Sequence, residues 1–339
     1  MRKIILFLAL AFIQCEQPSK KTEQQNNEPS FGIVIHGGAG TILKKNMTPE
    51  LEKEYRAVLA QAIEVGHAIL KEGGSSQEAV EKTIHVMENS PLFNAGKGAV
   101  LTAEGYASLD ASFMDGKSLN AGAISGVRHI KNPITTAIAV MEQSPHVMLS
   151  GKGADDFAIS LGLDTVPNNY FITERRKNAL KRVQEKEAAK VSFYDPFIRD
   201  SKFGTVGCVA LDQAGNLAAG TSTGGMTNKK WDRIGDAPII GAGTYANNTS
   251  CGVSATGWGE FFIRSVVAHD IAALVEYKGM DITSAAKTVL QKVADLGGDG
   301  GVIVLDREGN VAMEFNTAGM YRAHMDAQGN QNIMIYKDE

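Results

Sequence analysis

Residues Lys202 to Asp212 read KFGTVGCVALD, an apolar run entered through Gly204-Thr205. From Val206 to Leu211 the run is short, rich in valine and bounded by glycine and aspartate, the pattern of a buried strand. Thr205 holds its first position. A β-branched residue there is ordinary strand composition. It is also a hydroxyl directly after a glycine, and a threonine at a chain N-terminus carries its own base, an α-amine of unperturbed pKa about 7.7–8.0. Breaking the Gly204–Thr205 bond would create that terminus. Glycine, without a Cβ, tolerates the strained geometry in which the hydroxyl reaches its own preceding carbonyl.

The surrounding chain repeats itself. Gly207 to Gly225 is GCVALDQAGNLAAGTSTGG and Gly301 to Gly319 is GVIVLDREGNVAMEFNTAG, sharing Gly, Leu-Asp, Gly-Asn, aliphatic-Ala, Thr and Gly in register. Each reads as a hairpin turning at Ala214-Gly215-Asn216 or Glu308-Gly309-Asn310. Upstream, Phe31 to Ile35 is a strand that delivers His36-Gly37-Gly38-Ala39-Gly40. Thr48-Pro49 opens a helix to about Glu72, with a hydroxyl cap and proline at the first helical position. Ser75-Ser76-Gln77-Glu78 caps a second helix to about Glu88. Tyr106 to Met114 alternates like a strand, and Pro133 to Gln143 and Ala154 to Leu161 read as helices. A charged, solvated helix lies within an irregular stretch from Asn168 to Gly204. Glu260 to Tyr277 and Thr283 to Ala294 complete the helices. Helices followed by hairpins, twice over, predict stacked antiparallel sheets covered by helices. Weak polar-apolar alternation follows when helices bury one face of a sheet and a second sheet buries the other.

With 339 residues and 43% hydrophobic content the chain can fill a large core. Its net charge of −4 and pI near 6.0, without a long Lys/Arg run, leave no electrostatic footprint for nucleic acid and favour a small-molecule substrate. MRKIILFLALAFIQC at the start has a basic opening and an apolar run from Ile4 to Ile13, too short to span a bilayer, and reads as a signal peptide over residues 1–14. It resembles a bacterial lipoprotein signal with Cys15 as the lipidated residue. Residues 15–30 then form a flexible tether and 31–339 a single domain. This predicts a periplasmic protein or membrane-anchored lipoprotein, whose only membrane contact is a lipid at Cys15. Cys208 and Cys251 have no CxxC spacing or histidine partner and read as small buried residues.

Gly220-Thr221-Ser222-Thr223-Gly224 fits the GxSxG elbow of serine esterases, with His36-Gly37-Gly38 as an oxyanion loop and His269 or His324 as base. An elbow requires a helix directly after the serine. Gly224 to Ala242, GGMTNKKWDRIGDAPIIGA, has glycines, a proline and no helical period. A serine esterase using Ser222, or a non-catalytic lipid-anchored binding protein, stands as the alternative to threonine chemistry.

The stretch GTVGCVALDQAGNLAAGTSTGGMTNKKWDRIGDAPIIGAGTYANN closely resembles the plant-type L-asparaginase/isoaspartyl peptidase family of N-terminal nucleophile hydrolases. So do IHGGAG, PLFNAGKGAV, LDASFMDG, SPHVMLSGKGA and TGWGE, from about Ile33 to Arg322. The resemblance implies an α+β fold of four αββα layers and self-cleavage between Gly204 and Thr205 into an α chain to 204 and a β chain of 205–339. It implies hydrolysis of L-asparagine and isoaspartyl dipeptides. Thr205 would be the nucleophile, with Thr223 hydrogen-bonded to it. Arg233 and Asp236, in Arg233-Ile234-Gly235-Asp236, would grip the substrate's α-carboxylate and α-ammonium. Thr256 and Gly257 would form the oxyanion hole, followed by Trp258 and Gly259, with Trp258 where many relatives carry a smaller residue. Asn94 would lie near the nucleophile. The resemblance also implies no catalytic cofactor, a structural Na+ in the loop from about Glu88 to Lys97, and a homodimer of cleaved αβ units. Glycosylasparaginase-like activity is the nearest alternative, disfavoured because those enzymes lack the HGGAG opening.

Overall fold

The structure, a computed structural model, describes residues 30–189 and 204–339. The signal peptide, the Cys15 site and the tether expected before Ser30 lie outside the described residues. Two antiparallel-dominated sheets face each other. The larger has the order β12-β11-β1-β5-β6-β2-β3-β4 and the smaller β10-β9-β8-β7. In the larger sheet, β1 (Gly32–Gly40), β5 (Val206–Leu211), β6 (Leu217–Thr223) and β2 (Leu109–Asp115) hold the centre. On their flanks lie β3 (Ala121–Val127), β4 (Met148–Ser150), β11 (Gly319–Met325) and β12 (Gln331–Tyr336). The smaller sheet comprises β7 (Thr244–Ala246), β8 (Cys251–Gly257), β9 (Gly300–Asp306) and β10 (Val311–Phe315).

Helices α1 (Pro49–Lys71), α2 (Ser76–Glu88), α3 (Pro133–Gln143) and α4 (Gly151–Ser160) cover the outer face of the large sheet, and α5 (Glu174–Ala188) precedes the second half. Across the molecule, α6 (Gly259–Ser265), α7 (Val267–Lys278) and α8 (Ile282–Asp295) accompany the small sheet, with α7 and α8 covering it. The caps expected at Thr48 and Ser75 form, accepting from Leu51 N and Glu78 N. The expected helix over 260–277 is instead two helices. It breaks at Val266, which is left-handed at φ 49°, because the Ala268 and His269 N–H groups donate to Ala242 and Gly241 carbonyls rather than to the preceding turn.

Three separate cores explain the weak alternation of the strands. In β5, Val206, Cys208 and Ala210 face the helices, while Val209 and Leu211 face the second sheet. Period two therefore carries Thr205 to the inter-sheet side as well. The same count puts Thr221 and Thr223 between the sheets and Ser222 toward α2. Strand β1 runs through the glycine stretch rather than stopping at His36, with a bulge between His36 and Gly38 that shifts its pairing with β11. The repeated Leu-Asp and Gly-Asn close both hairpins in one way. Asp212 Oδ1 accepts from the N–H groups of Ala214 and Asn216, and Asp306 Oδ1 from those of Glu308 and Asn310. A third copy, Asp326 with Gln328 and Asn330, joins β11 to β12.

Candidate active site

At the head of β5 three groups form a directed chain. Thr205 Oγ1 donates to Thr223 Oγ1 at 3.2 Å, and Thr223 Oγ1 donates to the Gly204 carbonyl oxygen at 3.1 Å. The Gly225 N–H donates to Thr223 Oγ1 at 3.0 Å, fixing that hydroxyl's direction. The hydroxyl of Thr205 and the carbonyl before it are thus linked through one side chain. Asn94 Nδ2 donates to the same Gly204 oxygen at 2.7 Å and to Gly225 O at 2.8 Å, while its Oδ1 accepts from Val100 N. Thr205 is 7% exposed.

Close approach of two backbones makes this possible. A Cβ on Gly38 would stand 2.8 Å from Gly204 Cα and 3.1 Å from Thr205 N, so the glycine stretch of β1 packs against the peptide in question. Gly204 itself has φ 145°, and a Cβ there would meet Asn94 Cβ at 3.0 Å.

Behind Thr205 lies a row of buried hydroxyls that the sequence reading did not find. His36 contacts the Thr205 carbonyl through Nδ1 at 3.0 Å and Ser254 Oγ through Nε2 at 2.9 Å. A carbonyl only accepts, so Nδ1 carries the proton and Nε2 accepts from Ser254. Thr221, Thr244 and Ser112 continue the row at 2.6, 2.5 and 2.7 Å. Burial lowers the His36 pKa to about 3, against the raising effect of its bond to Thr205. His36 is a neutral strut between the Thr205 carbonyl and Ser254.

One small cavity is shared by Thr205, Thr223, Arg233, Gly235, Asp236 and Gly257. Asp236 is buried and its Oδ2 has no hydrogen-bond partner. Burial raises its pKa to about 7, against the lowering pull of Arg233. Arg233 forms a two-pronged ion pair with Glu260 at 2.8 and 2.7 Å, a partner not anticipated from sequence although it ends the TGWGE motif. Gly259 lets these groups converge, since a Cβ there would stand 2.9 Å from both Arg233 Nη2 and Asp236 Oδ1. Thr256 Oγ1 accepts from Ala39 N at 3.2 Å. Trp258 is buried and edge-on to Phe261 at 5.0 Å, and Ile234 is exposed; neither lines the cavity.

Ser222 sits elsewhere. It is fully buried on the helix-facing side, its hydroxyl donating to Glu88 Oε1 at 2.7 Å, and β6 runs on to Thr223 with no helix after it. The esterase alternative fails on that geometry. Ser222→Ala is expected to leave hydrolysis within about threefold of the parent while costing about 1–3 kcal/mol of stability, the worth of one hydrogen bond to a carboxylate. A progress curve beside a denaturant titration checks both. Cys208 and Cys251 are buried free thiols, as expected.

A threonine hydroxyl tied to its own preceding carbonyl, between two sheets sandwiched by helices, defines an amidohydrolase of the N-terminal nucleophile class. A family model described as Asparaginase matches residues 29–335, and the chain belongs to that family. It is 48% identical over 310 residues to the isoaspartyl peptidase of Escherichia coli K12, an alignment covering 91% of this chain and 96% of that one. It is 41% identical to an isoaspartyl peptidase/L-asparaginase of Rattus norvegicus, covering 88% of this chain and 87% of the relative. A probable isoaspartyl peptidase/L-asparaginase of Arabidopsis thaliana is 38% identical, with 91% and 99% covered.

These relatives overturn the expected placement as a periplasmic or membrane-anchored lipoprotein. The similarity is to isoaspartyl peptidases of bacteria, plants and animals, covered over nearly their whole length; separately, no helix among the described residues is long and apolar enough to cross a membrane. The expectation rested on residues 1–15 alone.

Proposed function

We propose that this chain cleaves its own Gly204–Thr205 bond and that the freed Thr205 hydrolyses L-asparagine to L-aspartate and ammonia, and β-aspartyl dipeptides to their two amino acids. The observation that carries this reading is the chain Thr205 Oγ1, Thr223 Oγ1, Gly204 O. In the precursor, Thr205 Oγ1 attacks the Gly204 carbonyl carbon. Asn94 and Thr223 stabilise the resulting oxyanion. The peptide nitrogen takes the proton given up by the Thr205 hydroxyl and leaves as the Thr205 α-amine, and water then hydrolyses the ester, releasing the Gly204 carboxylate and restoring the hydroxyl. In turnover the α-amine accepts the hydroxyl proton, Oγ1 attacks the substrate's β-carbonyl, the ammonia or amino acid leaves with that proton, and water deprotonated by the same amine then hydrolyses the β-aspartyl ester, releasing aspartate and restoring the Thr205 hydroxyl. Thr256, whose oxygen accepts from Ala39 and whose own proton remains to donate, joins Gly257 at that second oxyanion. Arg233 binds the substrate carboxylate and the unpartnered Asp236 oxygen its ammonium. A denaturing gel of the purified protein, with terminal sequencing, is expected to show two fragments, one starting at Thr205. A single intact chain that still hydrolyses asparagine would refute self-processing.

The chemistry supplied by the residues needs no cofactor. A structural Na+ in the loop from Glu88 to Lys97 is part of the same proposal, supported by the carbonyl oxygens of Pro91 and Phe93, two hard donors that converge on the space beside Gly98. Held there it would brace the segment that carries Asn94. A homodimer of cleaved units belongs to the same proposal, tested by sedimentation.

The Asp236 carboxyl near 7 gives a pH dependence. Only the carboxylate pairs with an ammonium, and a raised pKa delays its formation until pH passes about 7. The α-amine, of ordinary pKa about 7.7–8.0, must also lose its proton. Below pH 7, kcat/KM is therefore expected to fall more steeply than about tenfold per unit, two protons being involved. Asp236→Asn should flatten that limb to one proton, and an unchanged slope would remove Asp236 from substrate binding.

A further inference from the structure

Gly204 is a partition. On one side lies the small cavity with Thr205, Arg233 and Asp236; on the other begins a larger cleft that Gly204 also lines, together with Asn94. Three arginines of α5, Arg175, Arg176 and Arg182, border that cleft, and none of the described residues lining it is acidic. Arg175 Nη1 donates to Tyr55 Oη at 2.8 Å and Arg176 Nε to Gly98 O at 2.5 Å. No carboxylate among the described residues pairs with any of the three. Burial, then the adjacent Arg175, lower the Arg176 pKa to about 10, which leaves it charged at neutral pH. Half-buried Ile42, Met47 and Leu51 give the cleft an apolar side.

Resting on the proposed function, we propose that this cleft is the leaving-group subsite for β-aspartyl dipeptides, and that it takes a C-terminal residue with an apolar side chain and a free α-carboxylate. Cutting at Gly204 severs the partition and joins the two spaces across Thr205. A dipeptide with its aspartyl half at Arg233 and Asp236 and its amide at Thr205 must send its second residue away from that pair, toward the cleft. The second residue carries its carboxylate one carbon from the scissile nitrogen. Guanidinium groups with no carboxylate partner among the described residues are the chemistry that receives it. Asparagine releases only ammonia and touches none of these groups.

The test compares cleaved protein with its Arg175→Gln/Arg182→Gln variant on β-aspartyl-leucine, on the same dipeptide with a C-terminal amide, and on asparagine. Arg176 is kept because it anchors Gly98. The parent is expected to prefer the free acid over the amide by at least tenfold in kcat/KM. In the variant, the ratio of kcat/KM for β-aspartyl-leucine to that for asparagine should fall at least tenfold, mainly through KM, and the preference for the free acid should vanish. A parent indifferent to the amide, or a variant with an unchanged ratio, overturns the subsite while leaving the function standing. A parent inert toward both dipeptide and asparagine overturns the function, and this inference with it.

Discussion

Thr205→Ala is expected to remain one uncut chain and to lose hydrolysis of asparagine and β-aspartyl dipeptides by on the order of 10⁴-fold or more. The substitution removes both reagents at once. Without Oγ1 nothing attacks the Gly204 carbonyl, and without the cut the α-amine stays locked in a peptide bond, where it cannot act as a base. The fold should survive. Alanine suits a strand end facing a second sheet, Thr223 keeps its contacts to Gly204 O and Gly225 N, and the lost hydroxyl contact is worth about 1 kcal/mol. Intact-mass measurement separates the possibilities. An alanine variant cut at residue 204 would show that another group performs the cleavage. Thr205→Ser, which retains a hydroxyl on the same backbone, should still be processed.

How much of this was legible depended on how local the signal was. The strand at Val206 carries its burial in six consecutive residues, and its period of two fixes which side Thr205 faces. The two long hairpin repeats were legible because aspartate and Gly-Asn recur at fixed offsets. The third copy at Asp326 escaped because the polar Gln331-Asn332 start to β12 hides the returning strand. Val266 could not be read as a break. Its cause is the pair of carbonyls at Gly241 and Ala242 taking the N–H groups of the next turn, a tertiary event with no trace in helical periodicity. The buried row from His36 to Ser112 draws one hydroxyl each from β2, β6, β7 and β8. Each is unremarkable in its own strand, and only the facing of the two sheets brings them together. Glu260 was in plain sight in TGWGE, yet an acidic residue in the first turn of a helix already has a sufficient local reason to be there.

Arg233→Ala is expected to cleave itself normally and then to lose at least about a hundredfold in kcat/KM toward asparagine and β-aspartyl dipeptides. The proposed self-cleavage involves Thr205, Thr223, Asn94 and Gly204, none of which bonds to the guanidinium, so processing and turnover should separate. The loss follows from what the cavity contains. Removing the charged fork strands the substrate carboxylate in a space that also holds Asp236, a cost on the order of 2–5 kcal/mol for a desolvated pair. Each 1.4 kcal/mol is a factor of ten. Glu260 sharpens the case. It holds Nε and Nη2 of Arg233, so the fork is aimed before substrate arrives, with Nη1 left on the Gly235 side. Glu260→Gln should therefore weaken turnover by about tenfold, less than loss of the arginine, because the positive charge remains while its aim relaxes. Arg233→Lys should fall between, since an ammonium restores charge without the planar fork. Substrates with a blocked α-amine should be poor for the parent, having nothing to offer Asp236. If Arg233→Ala were fully processed and hydrolysed both substrates at the parent rate, the recognition site would lie elsewhere even with Thr205 established as the nucleophile.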